Sequence, residues 1–180
     1  MELKYFRKPW LQAFKGAFFV VLGIIVMMQI PSTLYSISIF FSFFIGLTGF
    51  VLVLAPLILK VKDNRKWNLT LGIINLAFAV LIIMKMNQPR TEIYLVIVFW
   101  IILNSVTEVV EAVLLFLQKN AYFALFIINA LLSSLMGLGF YNLLYETDSR
   151  RLFNMGFIAL VVGLVYELSA FLLKATKKPE

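Results

Sequence analysis

Apolar residues run along the chain in six long segments separated by short polar stretches. The segments cover residues 12–30, 34–59, 67–86, 93–117, 121–145 and 152–174. Each is close to the roughly 20 apolar residues that a helix needs to cross the hydrocarbon core of a bilayer. The pattern predicts an all-α membrane protein with six transmembrane helices. The connecting stretches are too short for a soluble domain, so residues 1–180 are expected to form a single membrane domain.

The composition indicates that the protein lies in a lipid bilayer, and it excludes most catalytic mechanisms. Hydrophobic residues make up 62% of the chain and charged residues 14%, and the mean hydropathy is +0.96, unlike a soluble domain, which has about a quarter charged residues. The chain has no cysteine and no histidine, which excludes thiol nucleophiles, imidazole proton relays and Cys or His zinc sites. We therefore predict a non-enzymatic protein that needs no cofactor and no metal.

The distribution of positive charge predicts the orientation. Twelve of the 16 Lys and Arg residues lie on the side that carries the two termini and the connection after the second span, and four lie on the opposite side. The positive-inside rule then places both termini in the cytoplasm. The net charge of +7 is accounted for by these flanking residues, which meet anionic lipid, so nucleic acid is not an expected partner.

This orientation can be checked by labelling. A cysteine placed at Asn64, in a chain that has no other cysteine, should react with a membrane-impermeant maleimide only when the cytoplasmic face is opened. Labelling only from the outside would show that the topology is the inverse of the predicted one.

The six spans also resemble one another in pairs, as three hairpins. The prolines that follow the first and third spans, Pro31 and Pro89, are 58 residues apart. The same offset aligns residues 46–50 with residues 104–108, and residues 163–167 occupy the corresponding place in the last span. We predict a triplicated hairpin with the copies arranged in parallel. The alternative is that apolar helices look alike whatever their origin.

With these features the chain resembles the HdeD family, short bacterial membrane proteins with six spans that are associated with acid resistance. The resemblance rests on the two proline turns, on helix glycines and on "VVGLVYELSAFLL", in which Gly163 and Glu167 match a Gly-x-x-x-Glu motif. In departure from the pattern, Asn104 replaces a glycine, Phe50 occupies the acidic position of the first repeat, and Ala121 stands where the second repeat begins with a tryptophan. The resemblance implies a fold and a stress context but no reaction.

The polar residues inside the spans are the candidate site. Glu108 and Glu167 fall at equivalent places in two repeats, and Glu111 lies one turn nearer the cytoplasm. Asn104 shares one helix face with Glu108 and Glu111. Because a charged group inside a span costs about 3 kcal/mol on insertion scales, this face should contact protein or water. Lys15 is the expected cationic partner, for Glu111 or Glu167.

Two interpretations of these residues stay open. In the first, Glu108, Glu111 and Glu167 form a site that responds to protons or to a cation. In the second, they bond to neighbouring helices and stabilise packing. Asn75 and Asn129, which lie in the middle of the third and fifth spans, are expected to pack against other helices.

Two functions follow from these interpretations. The first is a non-enzymatic membrane protein of HdeD type in the bacterial cytoplasmic membrane, with an envelope-stress, acid-stress or scaffold role. The alternative is a small transporter or channel with an intramembrane carboxylate site for protons or a cationic solute. The candidate partners are the lipid bilayer, a second copy of the chain and another membrane protein.

Overall fold

A computed structural model describes residues 9–28, 33–58, 65–87, 89–117, 119–142 and 149–175. These residues form six α-helices and, within the described ranges, no strand. The helices are α1 (Pro9–Met27), α2 (Thr33–Ile58), α3 (Arg65–Lys85), α4 (Arg90–Leu117), α5 (Phe123–Asn142) and α6 (Ser149–Ala175). All six are long and apolar enough to cross a membrane. The prediction of an all-α, six-span, multi-pass membrane protein is confirmed.

The boundaries differ from prediction by a few residues. Helix α1 begins three residues early, at Pro9, since proline suits the first turn of a helix, where its missing N–H is not needed. Helix α5 begins late, because residues before it form a turn. In that turn Lys119 has a φ of 54°, and the Asn120 side chain accepts a hydrogen bond from the Tyr122 N–H at 3.1 Å. The predicted end of the fifth span, at residue 145, lies outside the described residues.

The helices form a closed ring in chain order, in which close and loose contacts alternate. The closest pairs are α1 with α6, α2 with α3, and α4 with α5, whereas α1–α2, α3–α4 and α5–α6 pack loosely. The predicted hairpins are thus less tightly packed internally than against each other. Three copies of one hairpin around an axis would produce this alternation, and triplication itself stays a prediction.

Glycines explain why α1 and α6 approach so closely. A Cβ added to Gly163 would lie 2.6 Å from the Val20 backbone nitrogen and 2.8 Å from the Gly16 carbonyl oxygen. Gly23 follows Gly16 by seven residues on α1, and a Cβ added to Gly23 would lie 2.6 Å from the Gly156 carbonyl oxygen. Small residues at such crossings let helix backbones touch in the membrane, where the hydrophobic effect does not drive association.

Candidate functional site

A buried ion pair lies in the interior of the ring. The Lys15 ammonium on α1 donates a hydrogen bond of 2.8 Å to Oε1 of Glu108 on α4. The Glu108 side chain is 0% exposed. Helix α1 places Lys15 level with the turn of α4 that carries Glu108. The prediction that Lys15 pairs with Glu111 or Glu167 is therefore wrong. Glu111 remains close enough to both groups to interact with them electrostatically.

Two hydroxyl groups extend this pair to two further helices. The Tyr166 hydroxyl on α6 donates to the same Glu108 oxygen. Ser133 on α5 lies 2.9 Å from the Tyr166 oxygen, and since Tyr166 donates its proton to Glu108, Ser133 is the donor of this second bond. The Lys15 nitrogen also lies 5.7 Å from the centroid of the Tyr166 ring, within the range of a cation–π interaction.

The four side chains form what we call the interhelical network: Lys15, Glu108, Ser133 and Tyr166. It joins α1 and α6 to α4 through bonds to the Glu108 carboxylate, and it joins α5 through the bond between the Ser133 and Tyr166 hydroxyls. Burying an ion pair yields little net stability, but removing one partner is costly because the other charge stays buried alone. The network is therefore suited to specifying which helices meet and in which register.

A cavity lies beside the network, lined by α1, α2, α3 and α4, and we call it the α1–α4 cavity. The centres of water-sized molecules can occupy about 60 Å³ of it, and one water needs about 10–15 Å³ on that measure. A few water molecules or one very small solute therefore fit. Its polar lining residues are Lys15, Thr48, Asn68, Asn75, Asn104, Thr107 and Glu111.

The predicted polar face of α4 is confirmed, and it is directed inward. Asn104 and Glu111 line the cavity, and Glu108 lies behind Lys15. Asn104 also lies beside the Tyr166 hydroxyl, so it connects the cavity with the network. Helix α3 adds Asn75, whose Oδ1 accepts a 2.8 Å hydrogen bond from the Trp100 indole. As expected, Asn75 bonds to a neighbouring helix.

The structure separates two of the predicted site residues from the cavity. Glu167 is half-buried, and its Cγ packs where Gly16 leaves room for it on α1. Asn129 packs against α6, where its Oδ1 accepts a 3.4 Å hydrogen bond from Ser169. Neither residue lines the cavity, and although Glu108 and Glu167 align in the predicted repeat, their surroundings differ.

Three residues of the site were not identified from the sequence. Tyr166 could have been predicted as a site residue, because the hydroxyl of a tyrosine far from the span ends needs a hydrogen-bond partner inside the protein. Ser133 could not have been predicted, because serine is common in membrane helices. Asn68, near the start of α3, is 1% exposed, and neither polar atom of its side chain has a hydrogen-bond partner. Asn68 is one of the residues that line the cavity.

Within the described part of the chain, no group of three acidic, histidine or cysteine side chains could hold a metal ion. Comparison of the chain with protein-family models, with curated proteins and with solved structures found no match. The assignable features are therefore those of the molecule itself: a multi-pass membrane fold, a buried network and an adjacent polar cavity.

Proposed function

We propose that the protein is a non-enzymatic integral membrane protein of HdeD type, with a scaffold or stress role in the envelope of a bacterium. The observation that carries the proposal is the Lys15–Glu108 pair with its Tyr166 bond. A charged residue in a span can serve a permeation pathway or helix packing. Here the two opposite charges lie 2.8 Å apart, and the buried Glu108 carboxylate is not among the residues that line the cavity. This arrangement favours a packing role.

A flux measurement tests the scaffold function. Protein reconstituted into vesicles should give proton, sodium and potassium fluxes equal to those of protein-free vesicles, because the Glu108 side chain is fully buried and bonded through Oε1 to Lys15 and Tyr166. A specific flux that Glu108→Gln abolishes while the protein remains folded would refute the scaffold function. Glu92→Gln is the matched control, since Glu92 is on the same helix and pairs with Lys85 at the other end, at 2.5 Å.

The stress role requires a cellular test. In the native host, deletion of the gene should lower survival after acid challenge, and wild-type protein or the Glu92→Gln variant should restore it. Survival that is unchanged by the deletion would remove the acid-stress part of the proposal, and the scaffold part would then be tested by unfolding measurements on Glu108→Gln.

The second candidate is a small transporter or channel for a cationic solute. The observation that favours it is the α1–α4 cavity, in which Glu111 and Asn68 line space large enough for water. In that case the solute would pass along the cavity rather than through the interhelical network. Flux that depends on Glu111 and not on Glu108 would distinguish this function from the first.

A further inference from the structure

We propose that the α1–α4 cavity binds a small primary ammonium ion, with Glu111 as its counter-charge and Asn68 as a hydrogen-bond partner. The inference deepens the second candidate function by naming the ligand class and the binding residues. It rests on the cavity alone, so a binding experiment can fail or succeed independently of any flux and of the scaffold role.

The charge of the cavity wall favours a cation. Two charged residues among those that the structure describes line it, Lys15 and Glu111. The Lys15 ammonium is already paired with Glu108 at 2.8 Å, which leaves Glu111 as the acidic group of the wall without an ion-pair partner among the described residues. Glu111 is half-buried in a region where charge is poorly solvated. A cationic ligand would neutralise it.

Asn68 is the independent sign that a polar ligand is missing from the wall. Its side chain is 1% exposed, and both its amide oxygen and its amide nitrogen lack hydrogen-bond partners. A buried polar group without a partner costs about 1–3 kcal/mol, and most such groups in proteins are satisfied. An ammonium N–H can donate to Asn68 Oδ1 and to the Glu111 carboxylate, and a ligand hydroxyl or a water can accept from Asn68 Nδ2.

Size and wall chemistry narrow the class of cation. The space that water-sized molecules can occupy, about 60 Å³, suits roughly four or five non-hydrogen atoms. The wall also contains Trp100 and the stacked rings of Phe18 and Phe44, whose centroids are 3.7 Å apart. Aromatic faces attract organic cations and pack against short alkyl groups. A calcium ion would instead require six or more oxygen ligands, usually with several carboxylates among them, and Glu111 is the one carboxylate among the described residues that line the cavity.

Binding can be measured on the full-length protein in detergent with ethanolammonium as the probe. Trp100 in the wall and Trp67 beside Glu111 should report binding through a saturable change in tryptophan fluorescence, checked by calorimetry. Glu111→Gln should weaken binding by about tenfold or more, because a charge-assisted bond is lost. Asn68→Ala, which leaves the Glu111 carboxylate in place, should weaken binding severalfold. The control variant Glu92→Gln should bind ethanolammonium as the wild type does.

A neutral probe of equal size separates the site from simple apolar adsorption. The comparison is with 1-propanol, which has as many non-hydrogen atoms as ethanolammonium but no charge. The proposal is supported if ethanolammonium saturates the protein and 1-propanol does not. Equal responses to both probes, or binding that survives Glu111→Gln in a folded protein, would overturn it. Absence of saturable ethanolammonium binding to the folded wild type would also overturn it.

Discussion

Glu108→Gln should lower the free energy of unfolding by about 3 kcal/mol or more, the loss typical of removing one partner from a buried ion pair. The substitution leaves the Lys15 ammonium beside a neutral amide, in surroundings where the charge cannot be fully solvated. It also weakens the bond from Tyr166, because the acceptor no longer carries a charge. Thermal or denaturant unfolding of the purified protein in detergent would measure the loss.

The chain offers a matched control one turn along the same helix. Glu111→Gln makes the identical chemical change in a residue that faces the cavity, and we expect it to cost less than about 1 kcal/mol, as for a carboxylate outside a tight pair. A double variant, Lys15→Met with Glu108→Gln, should lose less than the sum of the single losses. Equal losses for Glu108→Gln and Glu111→Gln would show that the network is not the stabilising feature.

Gly163→Ala should destabilise the protein by about 2 kcal/mol or more, near the upper part of the usual range for overpacking. The added methyl group would lie 2.6 Å from the Val20 nitrogen and 2.8 Å from the Gly16 oxygen. Both are backbone atoms, so no rotamer change relieves the clash and α1 must move away from α6. The displacement would also shift Lys15, which lies next to Gly16, relative to α4.

Gly46→Ala is the control for this prediction. The nearest atom to a Cβ at Gly46 is the Ala79 Cβ, at 3.4 Å, which is an ordinary contact. Alanine is also favoured over glycine in helices by up to about 1 kcal/mol, so the Gly46→Ala variant should match or slightly exceed the wild type in unfolding experiments. If Gly163→Ala were equally harmless, the close α1–α6 crossing would not hold in solution.

Much of the architecture could be read from local pattern. The length and apolarity of each segment predict a spanning helix, because the bilayer leaves few other backbone structures. The spacing of Asn104, Glu108 and Glu111 predicts a shared inward face, because helical periodicity alone determines it. Partner identity could not be predicted in this way. Lys15 pairs with Glu108, 93 residues away, and the height of α1 relative to α4 is set by packing along the whole ring.

The predicted repeat likewise does not allow a residue's partners to be predicted. Glu108 and Glu167 align in the predicted repeat, yet Glu108 bonds to Lys15 and Tyr166, whereas Glu167 packs against Gly16. The predicted repeat therefore does not determine a residue's neighbours, because the three hairpins differ in sequence at the contacting positions. In the first hairpin of the predicted repeat, Phe50 takes the place of the acid, and its side chain is 54% exposed.

The sequence by itself determined the membrane class, the six helices and the face of α4 that turns away from lipid, because these depend on segment length, hydropathy and helical period. Only the tertiary structure decided that α1 closes the ring against α6, that Tyr166 joins the Lys15–Glu108 pair, and that Asn68 faces a cavity with Glu111. These features depend on backbone approach at glycines and on the relative heights of distant helices. No local interaction along the chain encodes those distances.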